Sequence, residues 1–169
     1  YLLMVTPFQK ITLISSILIA SAISMPSFAK TEKQCGNGEL LVSKKIVGTA
    51  TYAAENCNKP WLGQNIQMEF NYTENIPEWA FKRAATHFLK RNMNNLKDDS
   101  ALHQVTALYR PVKKGDVYKL SYVHANQTLT LSLNNRVLGK VKDPQIQQYF
   151  VIWLGKAPFS AKLKQQLLN

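Results

Sequence analysis

His87, His103 and His124 are the only imidazoles of the chain, and none stands three or four residues from another imidazole or a thiol. A zinc centre takes about four nitrogen or sulfur ligands at short spacings, so no metal site is expected, and no cofactor either. No nucleophile elbow, phosphate-binding loop or dinucleotide fingerprint is present, and Gly36-Asn37-Gly38 reads as a lone turn. The carboxylates have structural work to do. Asp98 and Asp99 begin a helix, Asp116 opens a strand, and Asp143 caps another helix, so no catalytic residue is predicted.

The aromatic side chains carry more information. Trp79, Phe88, Tyr118, Tyr122, Phe150 and Trp153 all fall at positions expected to face the interior between a sheet and its helices. Their first role is core packing. Where that layer leaves a gap, they are the expected lining of a pocket for an apolar molecule. Cys35 and Cys57 are the only thiols, and an even count in an oxidising compartment favours a disulfide over two free buried thiols.

The elements that must position these residues follow from periodicity. Residues 34–38 are polar and glycine-rich and read as a loop, and 39–52 as one or two strands broken near Lys44-Lys45. Over 65–73, Ile66, Met68, Phe70 and Tyr72 alternate with Gln67, Glu69, Asn71 and Thr73, which predicts a strand wet on one face. Asn75 is the expected cap of a helix over 77–93, whose apolar stripe is Phe81, Ala84, Ala85, Phe88 and Leu89.

A shorter helix is expected over 100–109, ended by Pro111, followed by a meander of strands over 117–124, 128–133 and 136–141. Asn134-Asn135 suits the positive φ angles of a two-residue hairpin. Asp143-Pro144 then opens a helix whose second half, 149–154, is apolar all round and therefore buried on more than one side. Gly155 ends it, and Ser160 caps a last amphipathic helix. The pattern predicts an α+β domain in which an antiparallel β-sheet has helices packed on one face.

The amino-terminal residues read as an address. Lys10 precedes an apolar run from Ile11 to Ile23, and Ser27 and Ala29 are small residues before Lys30. This predicts a signal peptide over 1–29, cleaved after Ala29, and a mature domain over 30–169 in the periplasm. The run is shorter than the roughly 20 residues of a membrane span, and an uncleaved anchor is the alternative. The chain of 169 residues has a net charge of +11, and loss of 1–29 removes only Lys10 among the charged groups. Such a balance would suggest nucleic acid in the cytoplasm, but export removes that partner. The paired cations instead read as a solvated face, with an anionic membrane surface or an envelope protein as further partners.

Three ordered motifs carry a resemblance. Residues 113–122, Lys-Lys-Gly-Asp-Val-Tyr-Lys-Leu-Ser-Tyr, then 133–141, Leu-Asn-Asn-Arg-Val-Leu-Gly-Lys-Val, then 150–160, Phe-Val-Ile-Trp-Leu-Gly-Lys-Ala-Pro-Phe-Ser, resemble the carboxy-terminal half of bacterial chalcone isomerase-like proteins. Weaker similarity reaches back through Phe70-Asn71-Tyr72 to Val47-Gly48-Thr49-Ala50-Thr51. The resemblance implies the open-faced β-sandwich of that superfamily, whose members include isomerases, fatty-acid binders and proteins without known activity. Where the isomerases place an early-strand arginine that holds an anionic flavonoid, residues 39–64 contain no arginine.

The expected function is thus a non-catalytic exported protein that binds a fatty acid or other apolar small molecule between sheet and helices. One alternative is an envelope protein-interaction module with a packed core. The other is an isomerase acting on a chalcone-like enone, which would need a charge partner for the developing enolate.

Overall fold

A computed structural model describes residues 32–169, so the expected signal peptide lies outside the described residues. Six strands form one antiparallel sheet in the order of the chain: β1 (Lys33–Val42), β2 (Lys45–Ala54), β3 (Ile66–Tyr72), β4 (Val117–Val123), β5 (Thr128–Leu133) and β6 (Arg136–Lys142). Four helices, α1 (Glu78–Asn92), α2 (Leu102–Thr106), α3 (Val151–Leu154) and α4 (Ala161–Leu168), complete the fold, with a 3-10 turn over Ile146–Phe150 leading into α3.

Register follows alternation. Tyr52, Met68, Leu120 and Leu131 stand side by side across β2 to β5 and are all buried. Their neighbours point the other way and stay wet, with Ser121 donating to Gln67 (3.1 Å) and Lys119 facing Glu69 (3.8 Å) on the uncovered face. A one-residue slip of any strand would turn its apolar set into water, and this fixes the pairing. Asn134 and Asn135 both take positive φ (50° and 63°) in the tight turn between β5 and β6, as their types predict.

Several expectations need correction. Residues 34–38 are not a loop but the start of β1, and their glycines serve close packing. A methyl group at Gly36 would overlap the carbonyl oxygens of Gln166 and Leu167, and one at Gly38 would strike Leu163 and Gln166. The glycines therefore let α4 lie with its backbone against the strand. Asn75 does not cap α1. Pro77 occupies that position without a side-chain bond, and Asn75 Oδ1 instead accepts from the Lys114 amide (3.0 Å).

The helix expected over 100–109 is regular only over Leu102–Thr106, and that expected after Pro144 starts as the 3-10 turn. Gln145, not Asp143, occupies its cap position, without a side-chain bond, and Asp143 Oδ1 accepts from the Gln145 amide (2.8 Å) in the turn just before it. Ser160 Oγ accepts from the Leu163 amide (3.1 Å) as the cap of α4. Cys35 and Cys57 form a disulfide that ties edge strand β1 to the loop after β2.

Candidate functional site

The interior between sheet and α1 is not filled. A cavity of about 280 Å³ lies there. Its floor is Leu40 and Val42 of β1, Val47 of β2, and Phe70 and Tyr72 of β3. Its roof is Ala80, Phe81, Ala84 and Ala85 of α1, with Ile76, Tyr109, Ile152, Trp153 and Phe159 closing the ends.

The roof explains the space. Ala80, Ala84 and Ala85 present methyl groups where the rest of the core has leucines and aromatic rings, and the rings at the ends hold one another too firmly to collapse inward. Phe70 packs on Trp153 at 4.8 Å between centroids, and Phe81 is stacked on Tyr109 at 5.3 Å while meeting Tyr118 edge-on at 5.3 Å. Interlocked aromatic pairs of this kind are stiff, so the hollow persists.

No charged side chain lines the cavity. Its polar side-chain groups are the phenols of Tyr72 and Tyr109 and the indole N–H of Trp153, and burial pushes both phenols up beyond the ordinary tyrosine range, with Tyr118 adding to it at Tyr72 and three neighbouring tyrosines at Tyr109. The phenols stay neutral at any physiological pH. Tyr149, behind Tyr109, shares a hydrogen bond with Thr106 Oγ1 (3.0 Å) and is likewise raised by burial. Tyr52 is raised to about 12 by burial, and its hydroxyl is a buried group without a hydrogen-bond partner among the described residues.

Each arginine of the described residues lies elsewhere. Arg110 directs its guanidinium at Glu78 Oε1 (3.4 Å), Arg91 sits over the Phe88 ring (5.8 Å), and Arg83 and Arg136 are exposed. Such a site can enclose hydrocarbon. It has no counter-ion with which to hold an anion inside.

The aromatic residues singled out by sequence are dispersed. Trp153 lines the cavity. Tyr118 stands behind the lining, its hydroxyl donating to the Arg110 carbonyl (2.6 Å) and accepting from the Arg110 amide (2.7 Å). Phe88 packs on Phe159 (5.5 Å) at the margin, and Phe150 is buried within the solid part of the core. Tyr122 borders a separate shallow depression, its hydroxyl 3.3 Å from His124 Nδ1.

Trp79 departs from expectation: it is 64% exposed. It shares the outer face of α1 with Arg83, four residues on, and both point away from the sheet. The lining residues that were not singled out, Phe70, Tyr72, Phe81 and Tyr109, were legible as inward-facing. The alanines between them were the missed signal, because a small side chain on a buried helix face marks room.

The architecture is an α+β open-faced sandwich with an apolar hollow under its longest helix. The chain belongs to the chalcone isomerase-like family, whose model matches residues 47–169. Among solved structures it is similar to a fatty-acid binding protein of Arabidopsis thaliana, with a TM-score of 0.64 at 15% identity over 84% of this chain and 89% of that one. At that identity the likeness is one of fold. No curated protein matches the chain in sequence.

Among the described residues there is no cluster of three or more potential metal ligands, and no helix long and apolar enough to cross a membrane.

Proposed function

We propose that this chain is a non-catalytic, exported binding protein that takes the hydrocarbon part of a fatty acid or similar amphiphile into the cavity under α1. The observation that carries this reading is the cavity itself: about 280 Å³, walled by apolar side chains. That volume falls just below the range of roughly 300–1,000 Å³ usual for small-molecule sites. It accepts an acyl chain or part of one.

A carboxylate buried without a partner would cost on the order of several kcal/mol even after relaxation. The charged head therefore stays at the mouth, where Lys44 and Lys45 flank the lining residues Val42 and Val47 in sequence. Enone cyclisation requires a cation or strong donor at the developing oxyanion. The neutral lining argues against that chemistry, and a hollow of this size argues against a module with a filled core. Export is supported by the Cys35–Cys57 disulfide together with the leader-like sequence of 1–29.

Native mass spectrometry of protein purified without harsh detergent is expected to show bound lipid and a chain that begins at Lys30. Repeated preparations free of any lipid, with no uptake of added palmitate, would sink the binding reading. A mature chain that retains residues 1–29 would sink the processing reading alone.

A further inference from the structure

The two ends of the sheet differ in character. At one end lie the β1–β2 turn, the crossover from β3 to α1, the approach to β4 and the β5–β6 turn. This end carries Lys44, Lys45, Lys113, Lys114 and Arg136, and the acidic residues Glu74, Glu78 and Asp116 are largely engaged there. Glu74 pairs with Lys45 (3.1 Å), Glu78 with Lys82 and Arg110 (3.2 and 3.4 Å), and Asp116 accepts from the Lys113 amide and Asn134 Nδ2. Lys44, Lys113, Lys114 and Arg136 form no ion pair among the described residues.

The opposite end is more nearly balanced: Lys33, Lys59 and Lys142 stand near Glu32, Glu55 and Asp143 in the chain, and Lys90 and Arg91 in the last turn of α1 are followed by Asp98 and Asp99.

Exposed apolar side chains are biased the same way. Of the six exposed large apolar side chains among the described residues, Val42, Ile46, Trp79 and Val137 sit at the basic end, close in sequence to its lysines and arginine, and Leu62 and Val123 sit at the other. Val42 also lines the cavity, as do Val47 and Ala80, the chain neighbours of Ile46 and Trp79, so the same end holds the cavity's mouth.

We propose that this end of the sheet docks on an anionic lipid bilayer. Lys44, Lys113, Lys114 and Arg136 meet the headgroup phosphates, while Val42, Ile46, Val137 and the Trp79 indole enter the boundary between headgroups and acyl chains. Exposed tryptophan and aliphatic side chains ringed by cations are what such an interface favours, because its outer part is anionic and its inner part apolar. An acidic protein would satisfy the cations but leave the apolar tips in water. Docking stands whether or not the cavity holds a ligand, and where it does, the mouth opens toward the membrane.

The test is co-sedimentation of the full chain with phosphatidylcholine vesicles, with and without phosphatidylglycerol. Binding is expected only with phosphatidylglycerol, falling steeply with added salt, and accompanied by a blue shift of tryptophan emission that Trp79→Ala abolishes. Each lysine at an anionic surface is worth about fivefold in affinity, so the combined Lys44→Glu, Lys113→Glu, Lys114→Glu variant should bind on the order of a hundredfold more weakly, or worse.

The control with the same charge change at the other end, Lys33→Glu, Lys59→Glu, Lys142→Glu, should lose far less, and the amino-terminal apolar stretch is common to both. Equal loss in the two variants, equal binding to neutral vesicles, or retention on immobilised polyglutamate that matches vesicle binding without a blue shift would each overturn the proposal. None of these outcomes bears on lipid uptake by the cavity, which native mass spectrometry reads separately.

Discussion

Two regions under the helices are built from the same kinds of side chain and end in opposite states. Below the 3-10 turn and α3, Met68, Leu120, Leu129 and Leu131 share a core with Ile146, Tyr149 and Phe150, each no more than 1% exposed. None of them lines the cavity. Below α1, the strands offer comparable apolar surface, but the helix answers with Ala80, Ala84 and Ala85. Hydrophobicity alone therefore does not decide whether a layer closes. Side-chain volume along one helix face does, and a fold can keep a solid half for stability and a hollow half for a guest.

The largest effect should come from the solid half. Leu120→Ala removes a fully buried side chain where neighbours cannot relax, and should lower unfolding free energy by about 2–5 kcal/mol in a denaturant titration. Val47→Ala, in the hollow half, should cost clearly less because it only widens existing space. Comparable losses would break the contrast.

The next effect concerns how the hollow half keeps its outer wall. The combined Cys35→Ser, Cys57→Ser variant frees edge strand β1, and should lose about 3 kcal/mol from loop-closure entropy. Reductant should produce the same fall in melting temperature in the unmodified chain and none in the variant.

The smallest effect on stability should be the sharpest for binding. Ala84→Leu fills part of the cavity, so stability should hold or rise by about 1 kcal/mol while co-purified lipid disappears. A variant that melts early, or that still carries its lipid, would move the ligand elsewhere.

The sheet was the legible part. Strict alternation in 66–72 and 128–133 and the Asn134-Asn135 turn specify strands, faces and register without help from distant residues. The turn at Ser43 and Lys44 takes the same positive φ angles (49° and 69°), but with residue types that do not announce them. Gly36 and Gly38 look like a loop locally and make sense only once α4 is in place above them.

The site was legible only in outline. Periodicity assigned Trp153 and Tyr118 to the inside correctly, but Trp79 stands beside the apolar stripe of α1 in sequence and on the far side of the helix in space. Whether inward-facing rings touch or leave a gap depends on how far α1 stands off the sheet. No local pattern encodes that distance.

The contact between β1 and α4 joins the first strand to the last helix of the described residues. Backbone lies on backbone there, at Gly36 against Gln166 and Leu167, so the fit cannot be approximated by other parts of the chain. A ribosome delivers β1 well before α4, and the entropy of closing so long a span is met only when α4 has emerged. Until then the edge strand has no cover above it, and a chain caught at that stage remains open enough to be threaded, cut or captured.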